Sequence, residues 1–178
     1  GRLCRLLTVG KSDRALKGKE KIGAAQSDRE SEEIPKGECR LRFNDFMAFS
    51  EGQIVALLPP PDIFANADET RKFEVHLEGL ANALEGRVYL AATPRFHGDD
   101  ATRIARLARI ARSARVPLLA TNDVLYHDPG RRRLQDVLTC IRHTLTVDEA
   151  GFLLDRNAER HLKSPGEMAR LFAAHPDA

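Results

Sequence analysis

The chain has 178 residues, 42% hydrophobic and 30% charged, a composition that suits one globular domain and is too short to promise two. Aromatic residues make up only 6% and Trp is absent, so Leu, Ile, Val and Ala must build the core. A formal net charge of +2 does not by itself announce nucleic-acid binding, and three scattered cysteines without CxxC spacing argue against a disulfide framework or a zinc knuckle.

The sequence shows no signal peptide and no apolar run of membrane length, which predicts a cytoplasmic protein with reduced thiols and no membrane partner. Leu3, Cys4, Leu6 and Leu7 predict an opening helix that stops at Gly10. A chain that opens on Gly1 already in helical pattern predicts a piece cut from something larger. From about residue 12 to residue 35, mixed Lys, Arg, Glu, Asp, Ser and Gly lack apolar periodicity. That segment cannot bury enough surface to offset the entropy of ordering, so a mobile charged loop is expected.

Asn44 or Asp45 can cap a short helix through Phe46 and Phe49, stopped by Gly52. Residues 54–58 read as a buried strand that ends in Pro59-Pro60-Pro61. Phe73, Leu77, Leu80 and Leu84 repeat at helical spacing and predict an amphipathic helix with His76 on its surface. A second strand is expected over 88–92, and Asp99-Asp100 open a helix that buries Ile104, Leu107, Ala108 and Ala111. Arg103, Arg106, Arg109, Arg112 and Arg115 recur every third residue and read as a solvated stripe on that helix. A third strand follows over 118–121. After Asn122-Asp123, Pro129 can sit in the first turn of a helix expected to bury Leu134, Val137, Leu138 and Ile141. Ser164-Pro165-Gly166-Glu167 reads as a capping box that opens a last helix through Met168, Leu171 and Phe172. Parallel strands alternating with helices predict an α/β fold.

Polar residues at the carboxyl ends of buried parallel strands are where α/β proteins usually place chemistry. His97 follows the second strand, and Asp123 and His127 follow the third. All three leave one edge of the sheet, so they are the candidate metal ligands. Asp-x-x-x-His alone is a weak signal, because a carboxylate at a strand end also caps turns. No Gly-rich phosphate loop and no GxSxG elbow follow any strand. Cys140 falls on the apolar side of its helix, where a buried inert thiol is the default, and His143 and His161 sit beside basic residues as solvated or docking surface.

Two long stretches carry a resemblance. PLLATNDVLYHDPGRRRLQDVLTCIR at 117–142 and ERHLKSPGEMARLF at 159–172 resemble the alpha subunits of bacterial C-family DNA polymerases. The opening GRLCRLLTVGK and the later KGECRL are similar to the error-prone, damage-response branch of that family. The resemblance covers most of the chain outside the charged loop. It implies a partial, distorted β/α barrel of the polymerase-and-histidinol-phosphatase (PHP) type with the early strands missing. Residues 1–163 would be the later part of that domain, and 164–178 a helix leading toward the polymerase core.

The resemblance further implies a fragment of a DNA-directed DNA polymerase for translesion synthesis and DNA repair, the segment itself mainly structural and inactive alone. The alternative it carries is a metal-dependent phosphoesterase or exonuclease site. Magnesium and deoxynucleoside triphosphates would be handled outside the segment. DNA and other damage-response or replisome proteins would be partners of the parent protein. In the family, an Asp-x-His pattern follows the late barrel strand. Asp123 matches the Asp, but Leu125 stands where the His belongs, and leucine cannot bind zinc or manganese. His127 is the residue that would compensate, and His97 roughly matches a mid-domain ligand.

Overall fold

The computed structural model describes residues 1–11, 34 and 37–178. The charged loop expected at about 12–35 lies outside the described residues, apart from residue 34. The chain divides into two compact units, Gly1–Gln53 and Ile54–Ala178.

In the first unit, α1 (Arg2–Lys11) packs on α2 (Phe43–Ala48). Gly10 is not a helix stop, since α1 runs through it and buries it together with Leu6. Its carbonyl accepts from the Arg40 N–H at 2.7 Å. A Cβ at this position would collide with Cys39 Sγ and Leu41, so glycine is needed for the close approach of two segments. Asn44 and Asp45 lie inside α2 rather than at its cap. The Asp45 carboxylate accepts from the Arg42 N–H at 2.9 Å, satisfying a donor just ahead of the first turn.

The second unit holds β1 (Val55–Leu57), β2 (Val88–Ala92) and β3 (Leu118–Ala120) in one parallel sheet of order β1-β2-β3. Val55 lies opposite Val88, and Leu90 opposite Leu118. Parallel neighbours cannot be joined by a tight turn, and the crossovers are α3 (Ala67–Ala83) and α4 (Asp100–Ser113). The α/β alternation expected from the patterning is therefore present. β1 is shorter and less buried than expected: Ile54 and Leu58 at its ends are exposed, as is Ala56 in its middle, and only Val55 and Leu57 are half-buried.

The core lies between the sheet and its crossovers. α3 buries Phe73, Leu77 and Leu80, and its cap is Asn66, whose side chain accepts from the Asp68 N–H at 2.9 Å. α4 packs on β2 and β3 through Ile104, Leu107, Ala108 and Ala111. Leu77, Leu84, Leu90 and Leu107 are fully buried, each worth about 1.5–3 kcal/mol over an exposed leucine. Arg103 departs from the solvated stripe: it is buried on the same helix. It shares its face with Leu107, Ile110 and Ala114, so its position on the helix leaves it no route to the exposed side.

Asp128 caps a 3₁₀ turn, Pro129–Arg131, by accepting from the Gly130 N–H at 2.8 Å, and α5 (Arg132–His143) follows. The expected burial of Leu134, Val137, Leu138 and Ile141 does not occur, as these residues are 44–68% exposed. α5 packs instead on α6 (Val147–Ala150) and buries Cys140. Periodicity identified an apolar face, but it carries no information on what covers that face. α7 (Pro165–Leu171) starts as expected, with Ser164 Oγ accepting from the Glu167 N–H at 3.2 Å and Pro165 in the first turn. No helix among the described residues is long and apolar enough to cross a membrane.

Candidate functional site

The chain segments leaving the carboxyl ends of all three strands converge on one cleft of about 560 Å³. Leu58 and the Pro59-Pro60-Pro61 run follow β1 and form an apolar wall. Thr93, Pro94, Arg95 and His97 follow β2, Asp123 follows β3, and Arg103 enters from the first turns of α4. The strand ends are held together by Thr93 Oγ1 and Thr121 Oγ1, 2.6 Å apart, and by the Thr121 N–H donating to the Ala92 carbonyl at 2.9 Å.

The last side of the cleft comes from residues 155–160, a segment with no helix or strand of its own. Its place is set by hydrogen bonds to the chain after β3. Leu125 N–H donates to the Arg160 carbonyl at 2.9 Å, and Leu162 N–H to the Tyr126 carbonyl at 3.0 Å, so Tyr126 and His161 pair as an isolated parallel bridge. Asn122, 7% exposed, anchors the same segment by donating from Nδ2 to the carbonyls of Glu159 at 2.9 Å and His161 at 2.5 Å. Asn157 Nδ2 reaches the Arg95 carbonyl at 2.9 Å. Burial, with Asp155 nearby, raises the pKa of the Tyr126 phenol.

Four arginines and three carboxylates line the cleft. Arg160 engages two of the carboxylates: its Nη2 lies 2.6 Å from Asp123 Oδ2, and its Nη1 lies 3.4 Å from Asp155. Its Nε also donates to the Asp123 carbonyl at 3.0 Å. The third carboxylate, Glu159, accepts from Lys163 Nζ at 2.9 Å, and the Lys163 side chain is fully buried. Arg103 is only 6% exposed, and its pKa is lowered, first by burial and then by the like charge of Arg95.

Of the three expected metal ligands, His97 and Asp123 line the cleft and His127 does not. His127 is exposed, beside the buried Tyr126. Asp123 has a left-handed backbone, φ 44°, which breaks the strand alternation that would set Asp123, Leu125 and His127 on one face. Among the described residues, no group of three or more His, Cys, Asp or Glu side chains stands ready to hold a metal. The donor chemistry also does not fit zinc or manganese. The Asp123 carboxylate already carries a guanidinium, and a cleft rich in arginine repels a divalent cation.

No protein-family model matches the chain. All 178 residues align with proteins named error-prone DNA polymerase, at 48% identity in Rhodopseudomonas palustris, 46% in Brucella abortus and 44% in Caulobacter vibrioides. The chain is a homologue of error-prone DNA polymerases. It spans 100% of its own length in these alignments and about 14% of the length of each relative.

The residues that shape the cleft of this polymerase homologue are mostly not those the sequence pointed to. Asn122 carries no local signal beyond its place after the third strand, and Arg160 lies 37 residues from its partner Asp123, a distance no local pattern spans. Arg103 did carry a signal, because it continues the buried spacing of Leu107, Ile110 and Ala114 toward the helix start. His161, expected on a solvated or docking surface, is half-buried, with Nδ1 2.9 Å from the Ala158 carbonyl oxygen and Lys163 Nζ within 3.4 Å of the ring.

Proposed function

We propose that the chain is part of an error-prone, DNA-directed DNA polymerase that acts in translesion synthesis and DNA repair in the cytoplasm. The observation that carries this reading is 44–48% identity, over all 178 residues, to proteins that bear the name error-prone DNA polymerase. Within that protein the segment is the later part of a PHP-type, distorted β/α barrel over 1–163, with 164–178 leading toward the polymerase core. The parallel sheet with helical crossovers is compatible with such a partial barrel. The segment's own role is structural. Nucleotidyl transfer, with its magnesium, deoxynucleoside triphosphates and DNA, belongs to other parts of the polypeptide, as do contacts to damage-response or replisome proteins.

Primer extension over a lesion-bearing template, by the full-length polypeptide that contains this segment, tests the reading. Extension that requires magnesium and all four deoxynucleotides is expected, and the isolated segment should be inert. A full-length protein that cannot extend a primer on undamaged template would overturn it.

The second reading is a metal-dependent phosphoesterase centre with Asp123, His127 and His97 as ligands. The Arg160 guanidinium on Asp123 and the place of His127 outside the cleft stand against it. Metal analysis of the full-length protein, wild type against His127→Ala, separates the two. Stoichiometric zinc or manganese that is lost in the variant would restore the phosphoesterase reading.

A further inference from the structure

We propose that the apolar face of α5 is a docking surface for an amphipathic helix with carboxylates beside its own apolar stripe, supplied by a part of the same polypeptide outside these 178 residues. Leu134, Val137, Leu138 and Ile141 fall at i, i+3, i+4 and i+7, the stripe that one helix presents to another across two turns. They are 44–68% exposed, while Cys140 on the same helix is buried. α5 is therefore held in place by its packing on α6, and its apolar stripe is left bare. α6 leads directly into the 3₁₀ turn Gly151–Leu153, where Phe152 is 98% exposed. Exposed apolar side chains grouped in this way mark an interaction surface.

The flanks of the stripe decide the charge of the partner. At 3.6 residues per turn, Arg133 and Arg142 lie about 90° from the middle of the stripe, one on either side. Both are exposed, and among the described residues neither has a carboxylate within ion-pair distance. The one acid of the helix, Asp136, lies on its far side, 3.7 Å from Arg132 Nε. Two copies of α5 laid face to face would therefore bring arginines together with no carboxylate on either flank, which disfavours a second copy as the cover. A helix with Asp or Glu beside its apolar residues meets both flanks with opposite charge.

The cover is assigned to the same polypeptide on two grounds. The chain spans about 14% of the length of its relatives, which leaves most of such a polypeptide to supply the helix. A tethered helix also meets the face at high effective concentration, which keeps an aggregation-prone patch permanently covered. The inference rests on the reading above only in setting this chain within a longer polypeptide.

The test uses the full-length polypeptide carrying Leu134→Cys, with thiol labelling located by mass spectrometry. Position 134, 54% exposed in this structure, should react about a hundredfold more slowly in the native protein than in denaturant. Adding Arg133→Glu and Arg142→Glu should speed the native reaction about tenfold. Cys140, buried in the packing of α5 on α6, is the internal control and should stay slow. If it speeds up with position 134, the milder pair Arg133→Gln and Arg142→Gln decides instead. In a second arm, benzoylphenylalanine in place of Leu134 should crosslink, within one chain, to a segment outside these 178 residues with apolar i, i+3, i+4 spacing and Asp or Glu beside it. Native labelling as fast as in denaturant, or labelling that the arginine changes leave unaltered, overturns the proposal. So does a crosslink inside these 178 residues, or a crosslinked product of twice the chain mass. Primer extension is a separate readout: its absence with position 134 protected sinks the polymerase reading and leaves the docking surface standing.

Discussion

Asn122→Ala should release the segment that closes the cleft. The Asn122 Nδ2 group donates to two carbonyls, those of Glu159 and His161. The Glu159 carbonyl also accepts from Lys163 Nζ at 3.0 Å, so it stays satisfied and the lost bond costs about 1 kcal/mol. The His161 carbonyl has no second donor among the described residues, and leaving a half-buried acceptor of that kind unpaired falls toward the lower part of the about 1–3 kcal/mol that a buried orphan costs. Asn122 Oδ1 is itself buried without a partner, so its removal returns a little and places the total near the lower end, about 2 kcal/mol. That loss falls on a local opening, not on the whole fold.

Hydrogen exchange at the amides of Leu125 and Leu162 reads that opening, because they donate to the carbonyls of Arg160 and Tyr126 across the same junction. A change of about 2 kcal/mol corresponds to roughly thirty-fold faster exchange at both. Asn122→Asp should be worse, since it turns a carboxylate toward two carbonyl oxygens, and it should recover in part at low pH, where the protonated acid donates once. Unchanged protection in Asn122→Ala, or an aspartate variant no worse than alanine at neutral pH, would refute the anchoring role.

Gly10→Ala should destabilise the Gly1–Gln53 unit by about 1–3 kcal/mol, because the new methyl meets Cys39 Sγ and Leu41; a denaturation midpoint equal to wild type would contradict this. Under native conditions a thiol reagent should label Cys4 and Cys39 quickly and Cys140 only after unfolding, and fast labelling of all three would contradict the packing of α5 on α6. The raised pKa of the Tyr126 phenol means that the folded chain holds this proton more tightly than the unfolded one. Its contribution is therefore fully present below the unfolded value of about 10 and is lost as pH rises through the folded pKa. Urea midpoints followed into alkaline solution should fall less for Tyr126→Phe than for wild type, and parallel curves would contradict the assignment.

The legible parts of the sequence are those governed by local periodicity. β2 and the buried face of α3 follow from alternation and helical spacing, and the Ser164 cap from a short motif. Where a residue's role depends on a distant partner, local reading fails. Gly10 looks like a stop until the chain around Cys39 lies against it. The apolar side of α5 looks like core, yet in the described fold it is largely exposed. The arginine stripe of α4 looks solvated throughout, but 3.6 residues per turn carry a three-residue repeat steadily round the helix, and Arg103 arrives on the inner face.

The cleft was found at the expected edge of the sheet, but its chemistry turns on one long-range pair. Asp123 alone, at the end of β3 with His97 across the cleft, reads as a remaining metal ligand. With Arg160 at 2.6 Å it reads as the counter-ion of a guanidinium. The two roles exclude one another, since a divalent cation would have to displace Arg160 and then sit among the other arginines of the cleft. Leu125, where the resemblance leads one to expect a histidine, agrees with that outcome from the side of sequence, because leucine offers no donor where Arg160 has taken up a carboxylate.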